Sequence, residues 1–194
     1  MTNLYIDELD FEDDENIKII DFPITRQAYS YTCGCDIVER TMEFYGENFR
    51  ESDLVEILKT NEEEGTLVKN IVKFFHYHDL KTELQQDMTI DDLIKYVDKN
   101  IPVIVLIQAW GTDFKFKRKY KETWGDGHFV AVIGYTDKLL LISDPSLFNV
   151  GYIPKSEFMN RWHDIDDGLE TYQLGLAVFG RKAIFDKDKL ERVR

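Results

Sequence analysis

The chain has 194 residues, of which 43% are hydrophobic and 13% are aromatic, a composition that excludes a disordered chain and fits one globular domain. Its 24 Lys and Arg residues face 37 Asp and Glu residues, and the resulting net charge of −13 opposes the phosphate attraction that nucleic-acid binding needs, so no nucleic-acid partner is expected. No apolar run approaches the roughly 18 residues of a membrane helix, and the N-terminus lacks a signal-peptide pattern, so we expect a cytoplasmic protein without a transmembrane segment.

The charge pattern divides the chain into a central domain and two charged ends. Residues 1–16 contain an acidic run and are expected to form an exposed or mobile lead-in. Residues 17–185 are expected to fold as a single domain, followed by a charged C-terminal tail over 186–194. The two cysteines, Cys33 and Cys35, are separated by one residue and cannot form a stabilising disulfide framework, which agrees with a reducing compartment.

The first half of the domain has mainly helical patterns after one short strand. The strand is predicted over 17–22. A helix is predicted to begin at Cys33, because apolar residues then recur at helical spacing as far as Gly46, which stands where a helix would end. Further helices are predicted over 52–60 and 66–78.

The pattern changes from helical to extended near residue 100. Thr89 to Asp92 have the form of a capping box, which predicts a short helix through about Lys99. Strands are then predicted over four β-branched and apolar runs: 103–108, 129–135, 139–143 and 174–179. Helices in the first half and strands in the second half indicate an α+β fold with segregated elements.

Three residues of these elements are placed for nucleophilic chemistry. Cys33 lies at a predicted helix N-terminus, where unpaired backbone N–H groups and the helix dipole favour a thiolate. His128 opens the predicted strand 129–135, and Asp144 ends the strand that follows. If these two strands form a hairpin, their open ends bring His128 and Asp144 close enough for the carboxylate to hold the imidazole.

The segment Gln27-Ala-Tyr-Ser-Tyr-Thr-Cys33-Gly34 has a glutamine six residues before a cysteine. Farther along the chain, His128 opens one strand and Asp144, followed by proline, ends the next. In spacing and character these features resemble the bacteriocin-processing, double-glycine leader cysteine peptidases, a papain-like family found alone and as N-terminal domains of transporters. The resemblance covers about residues 25–165.

The resemblance implies a papain-like fold in which an N-terminal helical half packs on a C-terminal antiparallel sheet. It implies a cysteine peptidase that acts on a peptide or protein substrate and needs no cofactor or metal. In this scheme Cys33 attacks the carbonyl, and His128 takes and later returns the proton. Asp144 fixes the histidine, and Gln27 donates its side-chain amide to the oxyanion. Because no transporter segment is recognisable in the sequence, the stand-alone form of the family is expected.

Cys35 competes with Cys33 for the role of nucleophile, because a Cys-Gly-Xaa-Cys motif in papain has its nucleophile at the later cysteine. Measured from Gln27, Cys35 is eight residues away, so the geometry of the oxyanion donor favours Cys33. Asp36 lies in the first turn of the same helix, where it favours the helix but should slightly oppose ionisation of a nearby thiol.

Three alternatives to a peptidase remain open from the sequence. Papain-like folds also act as acyltransferases or amidases with the same triad, and the sequence does not separate these from hydrolysis. Cys33, Cys35, His128 and Asp144 have the ligand types of a zinc site, although the cysteine spacing is shorter than the usual Cys-Xaa2-Cys. A binding module with an inactive site is disfavoured, because all four matched positions have the expected residue.

A basic segment immediately precedes the loop that carries His128. Residues 115–121 contain five cations among aromatic residues in an otherwise acidic protein. The segment is predicted either as a solvated loop or as a flap beside the cleft, in which case it would favour acidic peptides.

Overall fold

The computed structural model describes residues 16–109, 120–190 and 192. Its α-helices are α1 (Cys33–Phe44), α2 (Glu51–Ile57), α3 (Val68–Tyr77), α4 (Ile90–Asp98) and α5 (Lys155–Arg161). Its strands are β1 (Lys18–Ile19), β2 (Lys81–Gln85), β3 (Val103–Gln108), β4 (Gly127–Tyr135), β5 (Leu139–Ser143), β6 (Gly151–Pro154), β7 (His163–Asp166), β8 (Leu169–Tyr172) and β9 (Gly175–Phe179). A short 3-10 helix spans Tyr120–Glu122.

One antiparallel sheet forms the centre of the fold. Strands β2, β9, β3, β4, β5 and β6 lie side by side in this order, and β1 pairs with β4. Strands β7 and β8 form a separate hairpin. Helices α1 and α4 pack against β4, and α3 packs against β2. The predicted α+β class, with a helical part packed on an antiparallel sheet, is confirmed.

Helix α1 is fixed against the sheet at its C-terminal end. It begins at Cys33, as predicted, and Gly46 follows its last turn with a φ of +90° that favours glycine. The hydroxyl of Tyr45 donates a 2.6 Å hydrogen bond to the carbonyl oxygen of Val178 in β9. This anchorage fixes the position of the helix N-terminus, and therefore of Cys33, relative to the strands.

The hairpin of β4 and β5 is present as predicted. Its turn is closed by a hydrogen bond from the amide of Thr136 to the carbonyl oxygen of Leu139, 3.0 Å. The pairing shifts by one residue between Val132 and Gly134. A side chain at Gly134 would lie 2.5 Å from the carbonyl oxygen of Lys18, so glycine permits β1 to approach at this point.

The first predicted strand is much shorter than the sequence suggested. Strand β1 contains only Lys18 and Ile19, which pair with the last two residues of β4. The rest of that edge of β4 is taken by β3, which pairs with it over 127–132. Since a strand has two edges and β5 takes the other, contact of the predicted strand with β4 ends at the 2.7 Å hydrogen bond from the Ile20 amide to the Ile133 carbonyl oxygen.

The remaining predicted helices are confirmed with shorter bounds. Helix α2 ends at Ile57, before Lys59 adopts a positive φ of 56°. Helix α4 begins with the predicted capping box, since the Thr89 hydroxyl accepts from the Asp92 amide and the Asp92 carboxylate accepts from the Thr89 amide. Residues 1–15 of the predicted lead-in, and residues 191, 193 and 194 of the predicted tail, lie outside the described residues.

Candidate active site

The open ends of β4 and β5 bring His128 and Asp144 into contact. The distance between His128 Nε2 and Asp144 Oδ1 is 2.7 Å, and His128 is 1% exposed. The amide and the hydroxyl of Ser146 also donate to Asp144 Oδ1, at 2.8 and 2.7 Å. These bonds fix the carboxylate, and the carboxylate in turn fixes the orientation of the imidazole.

Cys33 is the third member of this group. It stands at the first position of α1, is 8% exposed and lines a cavity at the surface. Its thiol makes a side-chain hydrogen bond with His128. The structure thus joins Cys33, His128 and Asp144 in one chain of hydrogen bonds.

The contacts of His128 and Asp144 change the pKa of both groups. Burial disfavours the imidazolium, but the hydrogen bonds with Asp144 and Cys33 outweigh this and raise the pKa of His128 to about 9. Burial also opposes ionisation of Asp144, but its hydrogen bonds with His128 and Ser146 lower its pKa to about 2. Near neutral pH the site therefore contains an imidazolium beside a carboxylate.

The low pKa of Asp144 makes the free energy of unfolding depend on pH in the acidic range. Its pKa falls from an ordinary 3.8 to about 2 on folding. The ionised carboxylate therefore stabilises the fold above about pH 4, by on the order of 2 kcal/mol, and this contribution is lost as the pH falls through about 2.

We expect the difference in unfolding free energy between the parent and Asp144→Asn to shrink as the pH is lowered. Urea unfolding of both proteins between about pH 6 and about pH 3 measures this difference. A difference that stays constant over this range would contradict the lowered pKa.

Gln27 lies on the loop before α1 and is tied to the same turn as Asp144. Its backbone amide donates a 3.1 Å hydrogen bond to the carbonyl oxygen of Pro145, the residue after Asp144. Its side-chain Nε2 donates to the carbonyl oxygen of Tyr29 at 2.6 Å, and an amide nitrogen carries a second hydrogen. The structure therefore places Gln27 beside the Asp144 turn and leaves one of its N–H groups for another acceptor.

Cys35 faces the core on a different side of α1. It is 0% exposed, and its Sγ lies 3.2 Å from Thr60 Oγ1 and 3.8 Å from Thr66 Oγ1. Burial raises the pKa of this thiol despite its hydrogen bonds to the two threonines. The burial of Cys35 and its raised pKa both oppose a nucleophilic role. They also disfavour Cys35 as one of the four ligands of the zinc site that the sequence left open.

Asp36 is buried in an ion pair that the sequence did not indicate. Its carboxylate lies 2.6 Å from Arg40 Nε, and both side chains are 1% exposed. Arg40 also donates to the hydroxyl of Ser143 at 2.7 Å, and Ser143 directly precedes Asp144. Because Arg40 balances the charge of Asp36, the expected opposition of Asp36 to a thiolate is reduced. Arg40 also links the cysteine helix to β5, the strand that Asp144 directly follows.

The structure also bears on the basic segment, the possible metal site and the absence of a membrane helix that the sequence analysis considered. Residues 115–119 of the basic segment lie outside the described residues, so neither prediction for this segment is tested. Among the described residues, a set of three metal-ligating atoms within 4.8 Å of one another occurs at Asp36, Glu39 and Glu51, not at the group around Cys33. In the part of the chain that the structure describes, every helix is too short or too polar to span a bilayer.

The chain resembles solved peptidase domains in three dimensions. The putative C39-like peptidase from Bacillus anthracis has a TM-score of 0.63 and 15% identity, covering 86% of this chain and 99% of that one. The peptidase domain of ComA, a bi-functional ABC transporter of Streptococcus, has a TM-score of 0.59 and 23% identity, covering 81% and 98%. A double glycine motif protease from an AMS/PCAT transporter, in complex with the leader peptide, has a TM-score of 0.58 and 16% identity, covering 83% and 93%. At these identities the likeness establishes the papain-like fold of such domains.

Sequence comparison gives the family. The sublancin-168-processing and transport ATP-binding protein SunT of Bacillus subtilis (strain 168) is 23% identical over 141 residues, and its counterpart in Bacillus phage SPbeta has the same identity. The aligned part is 71% of this chain but only 17% of each relative's length. The pattern of the Peptidase C39-like family matches residues 19–168, which is most of the chain. The chain therefore belongs to the Peptidase C39-like family and is a cysteine peptidase of the papain-like kind.

Proposed function

We propose that this chain hydrolyses peptide bonds with Cys33 as nucleophile, His128 as acid and base, Asp144 as the residue that orients His128, and Gln27 as the oxyanion donor. The observation that carries the proposal is the 2.7 Å contact between His128 and Asp144 next to the thiol of Cys33. A nucleophile bonded to a base, which is itself held by a third group, is the arrangement that nucleophilic catalysis requires.

The first half of the reaction forms a thioester. Cys33 Sγ, whose proton is held by His128, attacks the carbonyl carbon of the peptide, and the electrons of the C=O bond move to the oxygen to give an oxyanion. When the intermediate collapses, the C–N bond breaks and the leaving nitrogen takes a proton from His128. Because Nε2 of His128 faces Asp144, Nδ1 is the nitrogen directed to the thiol and to the leaving group.

The second half of the reaction releases the acid. Water attacks the thioester carbon while His128 takes one of its protons. The C–S bond then breaks, and Cys33 leaves as a thiolate beside the imidazolium. The ionised Asp144 stabilises the imidazolium at each stage in which His128 is protonated.

Gln27 is assigned to the oxyanion by the resemblance to the double-glycine leader peptidases, in which a glutamine stands six residues before the cysteine, as Gln27 does here. Its loop lies beside the Asp144 turn. An oxyanion forms only after attack, so a donor to it stabilises the transition state and not the bound substrate. Removing one such donor typically costs about 2.7–4 kcal/mol of barrier.

We therefore expect Gln27→Ala to lower kcat by roughly 10²- to 10³-fold with little change in KM. Steady-state kinetics on a cleaved peptide measures this, and circular dichroism of the variant checks that the loss of the Tyr29 contact leaves the fold intact. A change confined to KM would contradict the role of Gln27 in the transition state.

The class of substrate follows from the relatives. SunT is described as a sublancin-168-processing protein, and the solved double glycine motif protease is in complex with a leader peptide. We infer that this chain also takes peptide segments as substrate. Since it spans a small fraction of SunT, the export role of that protein is not carried over.

Cleavage of a diverse peptide mixture in heavy-oxygen water tests the proposed function. Hydrolysis predicts new C-termini that carry the heavy oxygen, detected by mass spectrometry. Joined peptides without the label would favour the alternative, acyl transfer to an amine. Cleavage that persists in Cys33→Ala would contradict the proposal.

A further inference from the structure

A cavity with acidic walls opens at Cys33. It has a volume of about 310 Å³, and its lining includes the carboxylate residues Glu62, Glu63, Glu64, Asp164 and Asp166. No Lys or Arg is among the described residues that line it. We refer to this cavity as the acidic pocket.

The loop that carries Glu62, Glu63 and Glu64 is held against the start of α1. Asn61 and Gly65 exchange backbone hydrogen bonds of 3.2 and 2.9 Å, which close the turn that contains the three glutamates. The end of this loop packs on the residue after Cys33, since a side chain at Gly34 would lie 2.5 Å from Thr66 Cβ. The loop is therefore fixed beside the nucleophile.

A second part of the wall lies next to His128. Asp164 lies in β7, is 6% exposed and accepts a 2.8 Å hydrogen bond from Gln108 Nε2. A Cβ at Gly127, the residue before His128, would lie 1.8 Å from Asp164 Oδ2. Glycine at 127 thus lets this carboxylate pack directly on the backbone that carries the proposed base.

The side chains around the acidic pocket are suited to a cationic group. Burial raises the pKa of Asp164 to about 6, and hydrogen bonds from Ile165 and Gln108 limit the rise. Within the described residues, no ion pair joins a Lys or Arg to any of the five carboxylates. The pocket also contains Trp124, whose ring is held by edge contacts with the rings of His163 and Tyr172, and an aromatic face attracts a cation.

We propose that the acidic pocket is a specificity subsite that binds a Lys or Arg side chain of the substrate, close to the bond that Cys33 attacks. The glutamate loop and the part of the wall next to His128 both present carboxylates to this cavity, so a cationic side chain of a substrate bound at Cys33 gains from both. The inference rests on the proposed function, because the pocket is a substrate subsite only if Cys33 is the nucleophile. The proposed preference for basic substrate side chains is the opposite of the preference for acidic peptides that the basic segment over 115–121 suggested.

The test compares peptides that differ only in charge. A peptide cleaved in the mixture experiment is resynthesised with Arg, with its neutral isostere citrulline, or with Glu at each of the three residues on either side of the cleaved bond. At one of these substituted positions, we expect kcat/KM for the Arg peptide to exceed that for the citrulline peptide by roughly tenfold or more. A charge-assisted hydrogen bond between the guanidinium and a carboxylate produces an effect of this size. Added salt should reduce this ratio, because the glutamates are exposed.

A triple variant connects the preference to the pocket. Glu62→Gln, Glu63→Gln and Glu64→Gln together should reduce the ratio of Arg to citrulline peptide by severalfold, and a ratio does not depend on the amount of folded enzyme. The matched control replaces three exposed acidic residues that do not line the pocket, Asp53→Asn, Glu56→Gln and Asp91→Asn, and should keep the parent ratio.

The outcomes separate this inference from the proposed function. Three results would contradict the acidic pocket as a cation subsite. They are a ratio of kcat/KM between the Arg and citrulline peptides near one at all positions, a preference for the Glu peptide, and an Arg-to-citrulline ratio in the triple variant equal to that of the parent. Each of these results leaves cleavage dependent on Cys33. Loss of that dependence is instead the failure of the proposed function, and it is measured separately with Cys33→Ala.

Discussion

Cys33→Ala is expected to lower kcat by about 10⁶-fold, the scale seen when the nucleophile of a triad is removed. No other group in the proposed mechanism can form the bond to the carbonyl carbon. Cys35→Ala is the matched control, since its thiol lies two residues away on the same helix but is 0% exposed and contacts Thr60 and Thr66. It should keep kcat near the parent value.

The comparison is measured as peptide cleavage by both alanine variants at equal concentration, with thermal unfolding as a check on the fold. Loss of the buried Cys35 thiol can lower stability, because it leaves two threonine hydroxyls with one partner fewer. Activity that disappears in Cys35→Ala but persists in Cys33→Ala, at a temperature where both are folded, would reverse the assignment.

Asp144→Ala is expected to lower kcat by on the order of 10⁴-fold, as loss of the orienting carboxylate does in other triads. The hydrogen bond from His128 Nε2 disappears, and with it the charge that stabilises the imidazolium. The kcat of Asp144→Asn should exceed that of Asp144→Ala by roughly tenfold or more, because the amide keeps an oxygen that accepts a hydrogen bond from His128.

The two variants of Asp144 test the protonation state of His128. Its pKa, raised to about 9 by Asp144 and Cys33 against the effect of burial, makes it an imidazolium that donates through both ring nitrogens. An amide oxygen can then accept, as in Cys-His-Asn sites. If His128 were neutral, its tautomer would depend on the carboxylate, and Asp144→Asn would be as damaging as Asp144→Ala. Kinetics of both variants near neutral pH distinguish these cases.

The parts of the fold that the sequence predicted are those with local signals. The helix from Cys33, the capping box at Thr89 and the apolar strands β3, β4 and β5 all have patterns that their own residues determine. Strand β2 was missed, because Lys81–Gln85 is an edge strand with mostly exposed residues and no apolar alternation. The strands β6, β7 and β8 were also missed, because four residues each are too few to show a clear alternation, and helix α5 was missed as well.

In the candidate site, too, the contacts set by local sequence could be predicted and those between distant elements could not. His128 and Asp144 were expected to meet because one hairpin determines the distance between them. Arg40 could not be connected to Ser143, nor Asp164 to Gly127, because these contacts join elements that are distant in sequence. The run Glu62-Glu63-Glu64 was visible, but only the packing of Thr66 on Gly34 places it at the nucleophile.

Brief exposure to iodoacetamide at near-neutral pH, followed by mass-spectrometric mapping of both cysteines, tests the role of Cys33 most directly. Cys33 should be modified faster than Cys35, because Cys33 lines the cavity beside His128 while Cys35 is fully buried. Peptide cleavage should fall in proportion to the fraction of Cys33 that is modified. Preferential modification of Cys35 with cleavage retained, or full modification of Cys33 with cleavage unchanged, would contradict the role of Cys33 as nucleophile.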